Sequence, residues 1–139
     1  MNTNWIYYGI FFNDDTKEKI CNHAEKLCNK HGLKFNKNWK LYCDHMTLVF
    51  NNGHLEEQAL ADEYEKMLGK EETLRCIGIG SSDKAVALWI DFKTNNEHSH
   101  VTVLVGPTGK PVDSNYITNW IKDDGKNIEI KGTYKKISK

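Results

Sequence analysis

Neither sign of charge is in excess in this sequence, where 19 Lys and Arg balance 19 Asp and Glu over 139 residues. Without a net field to hold a polyanion, any nucleic acid must be gripped locally, and a short or terminal substrate suits this balance better than a long duplex. Cysteine pairs at C-x-x-C spacing are missing among the 4 Cys. Cys21 and Cys28 lie two helical turns apart in a helix-like segment, which argues against a disulfide framework and a zinc knuckle and for a reducing compartment, the cytosol. The opening MNTNWIYYGIFF has no basic leader region and its apolar run is soon broken, so neither a signal peptide nor a membrane span is expected. Fixed-period repeats, low-complexity tracts and charge blocks are absent. The loop Gly106-Pro107-Thr108-Gly109-Lys110 lacks the G-x-x-x-x-G-K-[ST] spacing of an NTPase phosphate loop, because Pro111 follows the lysine.

What is present fits one compact domain over residues 1–139. Residues 5–12 (WIYYGIFF) read as a buried strand that stops at an Asn13-Asp14-Asp15 helix cap. Ile20, Ala24, Leu27 and His31 recur at helical spacing up to Gly32. LYCDHMTLVF predicts a strand closed by the Asn51-Asn52-Gly53 turn, and Leu55, Ala59, Leu60, Tyr64, Met67 and Leu68 predict a second helix ending at Gly69. Strands come next at 72–80, 84–92 and 98–105, then a short helix around 114–122 and a last strand around 127–136. The order β-α-β-α-β-β-β-α-β is α+β.

Two segments share one pattern: His45-Met46-Thr47-Leu48-Val49 and His100-Val101-Thr102-Val103-Leu104. Both lie in predicted strands. Side chains alternate along a strand, so His45, Thr47 and Val49 share one face, as do His100, Thr102 and Leu104. Setting the two strands side by side would place two imidazoles across a cleft with two hydroxyls beneath them. That layout suits phosphodiester cleavage: one imidazole takes a proton from water and the other gives one to the leaving ribose oxygen. The Thr hydroxyls donate to the non-bridging oxygens as charge builds at phosphorus. Histidine suits both roles because its ordinary pKa of about 6.5 lets both protonation states coexist near neutrality. This chemistry requires no metal or other cofactor. A lone H-x-T is ordinarily structural; two copies among only 6 His carry the argument.

HMTLV and HVTVL resemble the two H-x-T-x signatures of the 2H phosphoesterase superfamily. The similarity runs through most of the chain, including IGIGSSDKAVALWIDF ahead of the second motif, and HVTVLVGPTGKPVDSNYI is similar to the cyclic phosphodiesterase domain of fungal and plant tRNA ligases. The resemblance implies a bilobed fold, with two pseudo-symmetric antiparallel-sheet lobes, outer helices and a central cleft. It also implies substrates such as RNA 2′,3′-cyclic phosphates, 2′-5′ oligonucleotides or cyclic oligonucleotides. His45 and His100 would be the acid-base pair and Thr47 and Thr102 the oxyanion donors; the symmetry of the two motifs leaves both orders of base and acid open, and His100 is the preferred base.

Around this pair, His98 is expected on the His100 face, to touch substrate or tune its neighbour; a solvated histidine at the strand mouth is the ordinary alternative. Cys43 with His45, His98 and His100 is a candidate zinc site, though the C-x-H and H-x-H spacing matches no usual structural zinc pattern, and His45, His98 and His100 alone define a rival metal-dependent hydrolase. Tyr8 and Tyr42, ahead of Trp5 and Tyr7, are the candidates to stack on a base, against core packing as the ordinary role. Lys40, Lys84 and Lys110 are candidates to hold a phosphate near the cleft, against a solvated surface role. The expected partner is a small nucleotide or oligonucleotide, including an RNA 3′ end, with no membrane involved and a monomer as default. A rival from another class is a non-catalytic module that sequesters such a ligand in the same cleft.

Overall fold

In a computed structural model that describes residues 4–125 and 127–139, the chain is α+β. Strand β1 (Trp5–Phe11) leads into helix α1 (Asp14–Lys30), capped by Asn13, whose side-chain oxygen accepts the Thr16 N–H at 2.9 Å. Gly32, at φ +70°, comes after the His31 cap as the sequence predicts. After β2 (Lys40–Leu41) and β3 (His45–Phe50) comes α2 (Leu55–Glu65). This helix is shorter than expected: turns carry the chain from Lys66 to Gly69, which holds φ +84°. Strands β4 (Glu71–Ser81), β5 (Ala85–Ile90) and β6 (His100–Val105) precede a 3₁₀ helix (Pro111–Tyr116), β7 (Asn119–Lys122) and β8 (Glu129–Ser138).

All strands join one antiparallel sheet, ordered β2-β6-β3-β1-β8-β4-β5, and β5 pairs again with β6. The sheet therefore closes on itself. The long β4 makes this possible, because Glu71–Arg75 pair with β8 while Cys76–Ser81 pair with β5. On the core face of the sheet, α1 packs on β4 and β8 and α2 on β3, around fully buried Trp5, Ile10, Ile20, Met46, Leu48, Ile79 and Leu88. Each aliphatic side chain of that size contributes about 1.5–3 kcal/mol by leaving water.

Four expectations change. The segment LYCDHMTLVF is two strands, interrupted where Cys43 takes φ +59°. The helix expected around 114–122 is a 3₁₀ turn and then β7, because Asn119–Lys122 add to the free edge of β4 opposite Ser81–Gly78. Strand β6 starts at His100, leaving His98 in the preceding loop.

The fourth concerns the two motif strands beyond the Thr. Thr47 pairs with Gly9 but Val49 with Tyr8, so Leu48 is an extra residue; Thr102 pairs with Ala87 but Leu104 with Val86, so Val103 is an extra residue. Each bulge flips the face of the residues after it. Val49 and Leu104, expected beside their Thr, are buried in the core instead. Both H-x-T segments thus carry the same irregularity at the same place.

Candidate functional site

The two motif strands meet at one antiparallel pair, Met46 opposite Val101, both fully buried. Met46 and Val101 face the core, so their strand neighbours His45 and Thr47 on β3 and His100 and Thr102 on β6 lie on the face away from it; just before His45 the register shifts by two residues, with the Cys43 N–H donating to the Thr102 carbonyl. The neighbouring strands extend this face. On the β3 side Phe11 pairs with His45 and Gly9 with Thr47, and on the β6 side Thr102–Ala87–Gly80–Trp120 and His100–Trp89–Gly78–Lys122 run in register across β6, β5, β4 and β7. The four motif side chains form the centre of this face.

Small residues in these rows make room for the large ones. A methyl on Gly80 would run into the Trp120 ring, and one on Gly78 into the Ile121 carbonyl and, at 3.0 Å, the Trp89 ring. Glycine inside a strand marks such close approach. Over that floor, His98 stacks on Trp120 (centroids 4.9 Å, planes 8° apart) and meets Trp89 edge-on at 5.0 Å. His100 lies 5.8 Å from Trp120, and His45 is held between Phe11 (5.0 Å) and Tyr7 (5.2 Å). A concavity of about 240 Å³ opens beside His100, lined by His98, Trp120, Asn115 and Glu97 among others.

The two imidazoles sit in different environments. His100 is 8 % exposed, and its Nδ1 lies 2.7 Å from the His98 carbonyl oxygen, which can only accept. The proton on the neutral ring is therefore on Nδ1, and Nε2 carries the lone pair. Burial lowers the His100 pKa below 6.5, against the carbonyl bond, and charge on His45 or His98 pushes the same way. His45 is more open, and its buried Nδ1 faces Asp44 Oδ1 at 3.3 Å, too poorly aligned for a good hydrogen bond. The contact is still close enough that the imidazole, as donor and then as charge, holds the Asp44 carboxyl below its ordinary range despite burial. Thr102 donates its hydroxyl proton to Ser114 Oγ at 2.9 Å, and Ser114 is fully buried.

No sequence family matches the chain, and no curated protein matches it. A solved structure does. The crystal structure of a fungal RNA kinase is similar with a TM-score of 0.63 at 14% identity, over 96% of this chain and 45% of that one. At this identity the likeness establishes the fold alone, and the chain spans less than half the length of that protein.

Of the residues singled out from sequence, His45, Thr47, His100, Thr102 and His98 gather on this face. Tyr8 does not: it is 1 % exposed, points into the core, and its hydroxyl meets Glu65. Its neighbour Tyr7 takes the place expected for it, because alternation along β1 puts residues 7 and 11 on the cleft side. Lys40 and Lys84 are not beside the imidazoles; both are exposed and lie near Val105, at the far end of β6 from His100, with Tyr42. Lys110 caps the 3₁₀ helix. Cys43 is a buried thiol whose pKa burial pushes up to about 12, a poor thiolate ligand, and among the described residues no three His, Cys, Asp or Glu gather as metal ligands. No described helix is long and apolar enough to cross a membrane. Sequence reasoning passes over Asp44, Ser114, Phe11 and Trp120. Gly78 and Gly80, two glycines in a predicted strand, are the available signal for a wall of large side chains above them.

Proposed function

We propose that this chain is a metal-independent phosphodiesterase of the 2H kind that hydrolyses a ribose-linked phosphodiester, with β3-β1-β8 and β6-β5-β4 as the two halves of a bilobed fold. The observation that carries the reading is the central patch, two imidazoles and two hydroxyls on the two strands that meet at the Met46–Val101 contact. The matching bulges after Thr47 and Thr102 support descent of the halves from one unit. The fold neighbour is an RNA kinase, which favours an RNA end as substrate. Kinase chemistry itself is not favoured here, because the phosphate-loop spacing is missing.

In this reading, His100 Nε2 takes a proton from water as the water oxygen bonds to phosphorus. The bond from phosphorus to one ribose oxygen breaks, and His45 gives that oxygen its proton. The Asp44 carboxylate lies 3.3 Å from His45 Nδ1, where it helps to set the direction of the ring, and the lowered pKa and fixed tautomer of His100 suit a base, which leaves His45 as the acid. Thr47 and Thr102 donate to the non-bridging oxygens. For Thr102 to do so, Ser114 must turn its own proton toward Thr102, so Ser114 is a positioning residue. Ser114→Ala is expected to lower kcat about five- to tenfold with KM and Tm near wild-type, and Ser114→Thr to restore part of it. An unchanged kcat would remove Ser114 from the account.

The acid limb of the kcat/KM profile should reflect His100 and so fall below about pH 6.5, since a lowered pKa keeps the base neutral further into acid. A limb at or above that value would contradict His100 as the base. The substrate class is tested by product analysis on 2′,3′-cyclic-phosphate-ended RNA, 2′-5′ oligoadenylate and cyclic di- and trinucleotides. Cleavage of one of them supports hydrolysis and names the class. Tight binding with no turnover of any would mark a nucleotide-binding module instead.

A further inference from the structure

The second place in the fold where aromatic and cationic groups gather is the far end of β6. A concavity of about 510 Å³ lies there, lined by Trp39, Lys40, Tyr42, Asn36, Asn38 and the Val105-Gly109 turn, and none of its described lining residues is acidic. Lys40 pairs with Val105, which also pairs with Ala85, and Ala85 clusters with Ala87 and Trp120. Directly paired residues share a face, and Ala87 pairs with Thr102, so Lys40 stands on the same side of the sheet as the catalytic patch. Val105 stands three positions beyond Thr102 along β6, about 10 Å. That is a span of one to two nucleotides of single strand, given about 6–7 Å from one phosphate to the next.

The groups present suit a nucleotide. The Lys40 ammonium lies 5.2 Å over the Tyr42 ring, and it is exposed and free to swing onto a phosphate, leaving a half-buried aromatic face for a base. Trp39 is backed by Gly106, where a methyl would come within 2.9 Å of the indole, so the ring is held flat against the turn. The Asn36 carbonyl oxygen of the side chain accepts the Asn38 N–H at 3.0 Å, which fixes the loop that closes the concavity.

We infer that this concavity is a second subsite, one that holds a neighbouring nucleotide of a single-stranded oligonucleotide while the phosphodiester next to it lies between His45 and His100. The inference rests on the phosphodiesterase reading and narrows it: the substrate is an oligonucleotide, not a mononucleotide, and its phosphate meets Lys40 while its base lies on Tyr42. The lysine and tyrosine that the sequence marks as substrate-binding then act here and not at the scissile bond.

The test compares 2′,3′-cyclic-phosphate-ended mono-, di- and trinucleotides with the full chain and with Lys40→Glu and Tyr42→Leu; Lys40 is exposed, so its variant folds whatever becomes of Tyr42. For the unaltered protein, kcat/KM should rise roughly tenfold or more from mono- to trinucleotide, and in either variant that ratio should fall by about tenfold. A rate independent of length, or a length advantage that survives in Lys40→Glu, overturns the subsite and leaves the phosphodiesterase reading standing. If no length is cleaved, that reading fails, and binding of a 5′-labelled trinucleotide decides the subsite by itself. Binding weakened about tenfold by Lys40→Glu supports it, and binding that is absent or unchanged overturns it.

Discussion

His100→Ala should lower kcat/KM on the cleaved phosphodiester by roughly 10²–10⁴-fold, and His45→Ala by a comparable factor, because each removes one proton transfer from the transition state. The double variant should lose little more than either single one, since acid and base act as a unit. His100 is also structural, through its bond to the His98 carbonyl at 2.7 Å, so alanine alone mixes two effects. His100→Asn separates them. Its side-chain N–H sits where Nδ1 does and keeps that bond, yet it transfers no proton, so this variant should be as inactive as alanine with a Tm closer to wild-type. Its counterpart for His45 is the flanking stack: Phe11 and Tyr7 hold the ring at 5.0 and 5.2 Å, and truncating the imidazole leaves a gap between them that is open to water. The exposed His54, at the start of α2, serves as control; His54→Ala should leave kcat/KM within twofold. Turnover within tenfold of wild-type in either His45→Ala or His100→Asn contradicts the assignment.

Gly78→Ala should be the most damaging of the small substitutions to the fold. Its methyl would press into the Ile121 carbonyl oxygen, which is backbone and cannot rotate away, so β7 must lift from β4. Overpacking of this kind costs about 1–3 kcal/mol, which for a chain of this size lowers Tm by roughly 3–10 °C. Loss of β7 also withdraws Trp120 from its stack on His98, so the indole emission should shift to the red. Gly80→Ala gives the contrast. The obstacle there is the Trp120 ring itself, a side chain that can swing aside, so Tm should fall less while the Trp120–His98 stack is lost all the same. Equal Tm losses in both variants would mean that the close approach of β4 and β7 is not what these glycines serve.

These residues also mark how much was legible in the sequence. The two H-x-T segments are visible as a pattern, and alternation puts each His with its Thr. Their meeting at Met46–Val101 is not visible, because register between strands 55 positions apart in the chain depends on the whole closed sheet. The bulges are hidden for a chemical reason: the extra residues, Leu48 and Val103, are apolar, as are Val49 and Leu104, so the hydrophobic pattern reads the same whether or not the face flips. Tyr7 and Tyr8 are indistinguishable by residue type, and only the pairing of β1 says which one enters the core. Strand β7 reads as helix in the sequence because its partner glycines, which supply the room that Trp120 needs, lie some 40 positions earlier. Asp44 stands beside His45 in the sequence, yet its side chain reaches Nδ1 only because the chain breaks strand at Cys43.

The central claim is that two imidazoles, with no metal, hydrolyse a ribose-linked phosphodiester. ³¹P spectroscopy of a trinucleotide ending in a 2′,3′-cyclic phosphate, incubated with protein freed of divalent ions by EDTA, tests it most directly. The account predicts that the cyclic-phosphate resonance is replaced by a single monoester resonance, at the same rate with and without chelator. A cyclic phosphate that persists while another phosphodiester is also left intact, or turnover that EDTA abolishes and a divalent ion restores, would contradict it.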